Sequence, residues 1–260
     1  MQKQHENYRE LIWMLAKTDF KLRYHGSVLG YIWVLLKPLC IFAVLNFVFS
    51  TMFNPRTNGV NTYSLELLVG LMLFFFFSEG TTAGMGSLLS KSQLVTKIYV
   101  PRWTIILAST INATMIFLMN LVVIAFFFAI KGFMPNPVSV MIFFVFSILT
   151  YILILSFSLI AAPLYVKFRD LSMIWEVLLM VIMYASPIIY PLSALPPKYH
   201  IILLLNPFAF IVNYTKEALI HNNFTISPQY VVIFSAIVLS GLALGIFSYR
   251  KLIPKIAEQI

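Results

Sequence analysis

Lys37, Glu66, Glu79 and Glu176 stand in stretches of this chain that are otherwise nearly free of charge. If those stretches cross a membrane, each ionised side chain costs roughly 2.5–3.5 kcal/mol at mid-depth on insertion scales, so each calls for a reason. Lys37, followed at once by Pro38, falls ~15 Å along the axis of the helix that would contain it. Two roles are open to it: snorkelling to lipid phosphate, or lining a pathway for an anionic substrate. Glu66 opens the next apolar stretch and Glu79 lies well inside it, where Lys37 could be its partner. Glu176 sits near the end of its own stretch, at the interface. A proton-coupled machine would show more such groups in relay, which weighs against that class.

Aromatic faces are the second candidate chemistry. Trp33, Phe42, Phe47, Phe49, Trp175, Tyr184 and Tyr190 could stack on sugars along a conduit, although the same residue types also face lipid and form interfacial girdles. Glu217 and His221 share a helix face at i, i+4, a spacing that suits a metal and suits a surface pair better. The lone Cys40 supports neither a disulfide framework nor a multi-cysteine metal site. No G-x-x-x-x-G-K-[ST] loop occurs, and no soluble segment is long enough to fold a nucleotide-binding domain. Ser240-Gly241 faintly resembles an ATPase signature, but Gly241 and Gly245 read better as a G-x-x-x-G packing face. The sequons at Asn112, Asn213 and Asn223 read as chance matches. Any driven work must therefore draw its energy from a partner or an ion gradient.

The elements that must position these groups follow from composition. The chain has 260 residues, 60% hydrophobic and 10% charged, with 24 Phe and a mean hydropathy of +0.90. Soluble domains carry about 25% charged residues, and uncharged runs here exceed the ~20 residues that cross a bilayer. An all-α polytopic membrane protein is expected, without a cleavable signal peptide. The net charge of +9 reports topology here, not a nucleic-acid partner.

Tyr8, Leu11, Ile12 and Leu15 fall on one face of 5–21, which predicts an amphipathic helix lying on the membrane. Gly26 allows a turn, and Ser27 can cap the helix after it. Six spans are expected, at 28–53, 63–88, 104–130, 138–166, 173–190 and 230–249, the fourth broken near its end by Pro163. A short basic segment, 89–100, lies between spans two and three. Six prolines between Pro187 and Pro228 punctuate two apolar pieces too short to span, read as re-entrant or interfacial helices over 196–221. Thirteen of the 18 Lys and Arg fall on the side of the two termini and four on the other, which places both termini in the cytoplasm.

With the residues in order, a resemblance emerges. RYHGSVLGYIWVLLKPL, from Arg23 to Leu39, resembles the signature of type-2 ABC exporter permeases of the polysaccharide and polyol-phosphate class. The matching positions are Arg23, Tyr24, Ser27, Leu29, Gly30, Trp33, Pro38 and Leu39. Phe168–Pro196 is similar to the family's F-R-D turn and later S-P-[IV]-x-Y, and Leu205–Phe208 to its LNPF run. The resemblance covers essentially the whole chain. It implies a single permease domain that pairs with a second copy of itself and with two separate nucleotide-binding subunits. Those subunits would carry ATP and Mg, leaving this chain without a cofactor or catalytic site. It also implies a bacterial inner membrane and a lipid-linked polysaccharide moved outward, with O antigen favoured and capsule or teichoic acid the alternatives.

In that frame Leu94, Lys97, Tyr99 and Arg102 are expected to couple to the ATPase. Arg23, Tyr24, Trp33 and Lys37 are expected to meet the substrate or its lipid linker, and Phe42, Trp175, Tyr184 and Tyr190 to line the channel. Two rivals come from other classes. An ion-coupled secondary transporter would need no ATPase, and a membrane-embedded transferase would need a catalytic constellation that the sequence does not display.

Overall fold

The structure, a computed structural model, describes residues 8–27, 29–53, 56–57, 60–92, 100–223 and 228–256. Away from water a helix satisfies its backbone groups from within, so long apolar segments fold as helices. Among the described residues these are α1 (Tyr8–Tyr24), α2 (Trp33–Phe49), α3 (Tyr63–Ser90), α4 (Arg102–Ile130), α5 (Pro137–Lys167), α6 (Leu171–Ala185), α7 (His200–Leu204), α8 (Pro207–Leu219) and α9 (Pro228–Leu252). A two-residue antiparallel ladder, Arg56–Thr57 with Val60–Asn61, joins α2 to α3.

Among the described residues, five segments are long and apolar enough to cross a membrane: Gly30–Phe49, Tyr63–Ser90, Arg102–Ile130, Pro137–Lys167 and Gln229–Leu252. The stretch expected to span at 173–190 is different. Its helix α6 has 15 residues, or about 22 Å, against a hydrocarbon core of about 30 Å. Pro187 is the cause, because a residue before proline is driven out of the helical region. Ser186 is extended at φ −107°, ψ 147°, and a tight turn follows in which Ile188 N–H donates to the Ser186 carbonyl at 2.7 Å. Pro163, expected to break α5, is instead carried inside it, and the helix runs on to Lys167.

α3 is the axis of the bundle. Leu67, Leu68, Val69, Leu71, Met72 and Leu73 are fully buried in succession, so this helix is enclosed on all sides rather than along one stripe. It packs against α4 and α5, with α2, α6 and α8 closing the remainder. Small residues permit the approach. A Cβ on Gly84 would lie 2.0 Å from Ser158 Oγ, and one on Gly80 2.7 Å from Ile154 Cγ2. The G-x-x-x-G face of α9 works in part: a Cβ on Gly245 would meet the Ser156 carbonyl at 2.9 Å, whereas Gly241 faces open space.

At the end of the bundle away from the termini, α8 folds back into the core. Asn206 caps it by accepting from Phe208 N–H at 3.0 Å, and Pro207 occupies its first turn. Its buried face carries Ala209, Ile211, Val212 and Ala218, and also Lys216, only 5% exposed. Lys216 Nζ donates to the Pro187 carbonyl at 2.8 Å and lies 3.8 Å from Glu66 Oε2 on α3. Glu66 Oε1 accepts from Thr62 Oγ1 at 3.0 Å and meets His221 Nε2 at 3.0 Å. His221 thus pairs with Glu66, not with Glu217, whose carboxylate accepts from Asn223 Nδ2 at 3.3 Å. Tyr63 Oη adds a bond to the Ile189 carbonyl at 2.8 Å. The proline-rich turn and α8 are thereby clamped to the start of α3.

Burial pushes the Lys216 ammonium below its ordinary value, against the pull of Glu66. The hydrogen bond to Glu66 raises His221, with desolvation opposing it. Removing one member of a buried ion pair strands the other. Lys216→Met is expected to cost about 3 kcal/mol in unfolding measured in mixed micelles. Combining it with Glu66→Leu should cost less than the two single changes added, and strict additivity would contradict the clamp. Because His221 is raised, its contribution is complete below about pH 6.5 and is lost as pH rises through its folded value. Melting curves of His221→Gln should therefore differ from wild type most in acid and converge with it at alkaline pH.

Candidate functional site: a cationic cavity between α1, α2, α3 and α4

The connection from α1 to α2 turns on two glycines in the left-handed region, Gly26 at φ +79° and Gly30 at φ +48°. Ser27 does not cap a helix. It supplies its carbonyl to Gly30 N–H at 3.1 Å, a short 3-10 turn follows over Gly30–Ile32, and α2 begins at Trp33. Lys37 therefore lies one turn inside α2, shallower than the sequence suggests. Phe20 stacks on Tyr31 at 5.3 Å and 10°, holding the end of α1 beside the start of α2. The other face of α1 packs on α4: Ile12 and Ala16 are buried with Ala108, and Asn112 Nδ2 donates to the Ala16 carbonyl at 3.2 Å.

These contacts enclose a cavity of about 360 Å³ whose polar lining is Arg23, Lys37, Ser78, Glu79 and Asn120. Trp33, Phe75, Phe76 and Phe117 form much of the rest, and Phe76 stacks on Phe117 at 4.4 Å and 15°. Glu79 pairs with Arg23, not with Lys37 as its place in a neighbouring span suggests, because α1 folds back and delivers a guanidinium from outside the spans. The pair is accessible, with side chains 40% and 27% exposed. Lys37 lines the same cavity with no hydrogen-bond or ion-pair partner among the described residues. Asn120, 2% exposed, has an Oδ1 with no hydrogen-bond partner. Buried polar atoms in native structures are nearly always satisfied, so the Asn120 Oδ1 is open to a donor not found among the described residues. Sequence reasoning passed over Asn120. The available signal was the cost of an amide in an otherwise apolar span.

The remaining expected residues are distributed as follows. Trp33, 45% exposed, stands at the cavity rim. Tyr24 ends α1, and its side chain lies outside the described residues, as do Leu94, Lys97 and Tyr99. Arg102 begins α4 and donates through Nη1 to the Ile253 carbonyl at 3.3 Å. Lys91, where α3 ends, is ion-paired with Asp19 of α1. Phe42 is buried against Phe127 at 5.1 Å. Trp175 is buried too, stacked on Phe157 at 3.8 Å and donating through Nε1 to Thr81 Oγ1 at 3.1 Å. Both rings face neighbouring helices of the same chain, so packing rather than an open path occupies them. Tyr184 is 62% exposed, and Tyr190 Oη donates to its carbonyl at 3.0 Å.

Among the described residues no cluster of three or more His, Cys, Asp or Glu could hold a metal ion. The chemistry on offer is recognition: two cations, one carboxylate and one unsatisfied amide in an aromatic enclosure. This set is complementary to an anion attached to apolar matter.

Comparison with known proteins agrees in length as well as in kind. The chain is 27% identical over 244 residues to an O-antigen export system permease protein of Klebsiella pneumoniae, covering 93% of this chain and 92% of that relative. A permease of the same description from Myxococcus xanthus is 27% identical over 263 residues, covering 97% and 96%. A polysialic acid transport protein of Escherichia coli is 25% identical over 237 residues, covering 88% and 90%. The model of the ABC-2 type transporter family matches residues 10–220. The helical bundle with its five candidate spans is that of a multi-pass membrane protein, and the chain belongs to the ABC-2 type transporter family.

Proposed function

We propose that this chain is the membrane subunit of an ATP-driven exporter that moves a lipid-linked polysaccharide from the cytoplasmic to the external face of a bacterial inner membrane. The observation that carries the reading is the cavity at Arg23, Lys37 and Asn120, within a chain whose relatives are named as O-antigen export system permease proteins and a polysialic acid transport protein. An O-antigen type polymer is favoured, and capsule polymer or teichoic acid is the alternative within the family. At about 360 Å³ the cavity suits the phosphate linker of such a substrate and not the polymer. The glycan would pass between this chain and a second copy, with two nucleotide-binding subunits supplying ATP and Mg.

Basic residues support the orientation. Lys91, Arg102, Lys167, Arg169, Arg250 and Lys251 gather at helix ends on the side of the termini, as expected of a cytoplasmic face. In this reading α1 is an interfacial helix, α6 with the turn after it forms the remaining span, and α7 and α8 guard the external end. The segment 89–100 would receive the motion of the ATPase. Its two flanks are tied to the rest of the chain by Asp19–Lys91 and by Arg102 on the Ile253 carbonyl, a suitable arrangement for passing displacement to α1.

Co-purification with a nucleotide-binding subunit tests the class at once. A chain that transports without one is an ion-coupled carrier, and this reading fails. Lys37→Ala is expected to reduce export of a diphosphate-linked glycan into inverted vesicles by about tenfold, as for loss of a charge-assisted contact, and Lys37→Arg by much less. Equal rates in the two variants would leave Lys37 only a snorkelling role. Lys97→Ala and Tyr99→Ala should hydrolyse ATP in an assembled complex while export falls, and normal export would remove the coupling assignment.

A further inference from the structure

The polar lining of the cavity between α1, α2, α3 and α4 is more varied than a phosphate requires. Arg23 and Lys37 only donate hydrogen bonds, which suits phosphate oxygens. Ser78, Glu79 and Asn120 bring acceptors to the same walls. Asn120 is the most demanding of them. It is 2% exposed, and its Oδ1 has no hydrogen-bond partner among the described residues. Arg23 engages Oε1 of Glu79, which leaves Oε2 of that carboxylate open to another donor.

The Asn120 oxygen sets a condition on any occupant of the cavity. A lipid tail offers it no hydrogen bond, and an esterified phosphate offers acceptors alone. Either would leave Oδ1 buried and unpaired, at a cost of about tenfold or more in affinity. A ligand that displaces water from this oxygen must likewise replace its hydrogen bond or lose affinity. The occupant therefore carries a hydrogen-bond donor close to its phosphate.

A sugar meets the condition. Its hydroxyls both donate and accept, so one ring can give to Asn120 and to Glu79, while its C–H faces pack against the rings of Trp33, Phe75, Phe76 and Phe117. We infer that the cavity is a sugar subsite, in which Asn120 is a specificity residue that accepts a hydrogen bond from a hydroxyl of the sugar joined to the phosphate. This rests on the cavity being the linker site, with Lys37 holding the phosphate. At about 360 Å³ the cavity lies within the range of small-molecule sites, so only the sugar next to the phosphate is read and the rest of the glycan stays outside. A site that hydrogen-bonds a substrate hydroxyl rejects the analogue lacking it, because its buried polar group is then left unpaired.

The test uses the full chain with its nucleotide-binding partner in nanodiscs. Two ligands are counted by native mass spectrometry: a polyprenyl diphosphate capped by one hexose, and the same diphosphate capped by a cyclohexyl ring. They match in charge and ring size, and only the first has hydroxyls. The ratio of their affinities is the readout. Asn120→Leu, close in shape to the amide, should move that ratio about tenfold towards the cyclohexyl cap. Asn120→Ser keeps an acceptor oxygen on a shorter arm and should move it about threefold, and it carries the comparison by itself where Asn120→Leu does not fold. An unchanged ratio, with Lys37→Ala still weakening both ligands, removes the sugar subsite and leaves the linker site standing. Binding of both ligands indifferent to Lys37→Ala removes the linker site and the sugar subsite with it.

Discussion

Two carboxylates on the most deeply buried helix govern how the rest of the chain must fold. α3 runs through largely apolar surroundings, so Glu66 and Glu79 are each stabilised by an opposite charge brought from elsewhere. Glu66 receives Lys216 and His221 from the end of α8, and Glu79 receives Arg23 from the end of α1. Neither supplier lies on a neighbouring span. Each comes from a short helix outside the five spans, so the non-spanning parts of the chain are drawn onto the bundle by electrostatic demand as much as by apolar burial.

The two answers differ in kind. At Glu66 the charges are 5–7% exposed for the carboxylate and Lys216, with Thr62 and the Pro187 carbonyl filling the remaining hydrogen-bonding positions. Such a site resists rearrangement, since moving any member strands another. At Glu79 the partners are partly exposed, a neighbouring lysine has no partner among the described residues, and one amide oxygen is unsatisfied. The same helix is thus pinned at one end and adaptable at the other. Just past Glu79, Gly80 and Gly84 let α5 approach so closely that a methyl group would collide with Ile154 or Ser158.

Much of this was legible in the residues. The long apolar segments, the punctuation by proline after Ala185, the two short apolar pieces before α9, and the odd standing of Glu79 and Lys37 all follow from pattern and solvation cost. Glycine in the sixth apolar segment also announced close packing, realised at Gly245. What escaped was pairing. Glu79 and Lys37 seemed natural partners, and Glu217 and His221 seemed a helical pair, because spacing along the chain was the available guide. For Phe42 and Trp175 an aromatic in an apolar run reads the same whether it meets a lumen, lipid or another ring, and the fold sets them against Phe127 and Phe157.

The sequence by itself determined the class of molecule, its helical construction and the cost of every charge placed in apolar surroundings. These are local properties, set by side-chain solvation and by the backbone's need for internal hydrogen bonds. The tertiary structure alone decided who satisfies whom: Arg23 for Glu79 across 56 positions, and His221 for Glu66 across 155. It alone left Lys37 and Asn120 facing one cavity, the Asn120 Oδ1 unsatisfied and Lys37 without a partner among the described residues. Contacts at such separations depend on how helices cross in space, and helix crossings are set by the packing of whole faces, which no single stretch of residues contains.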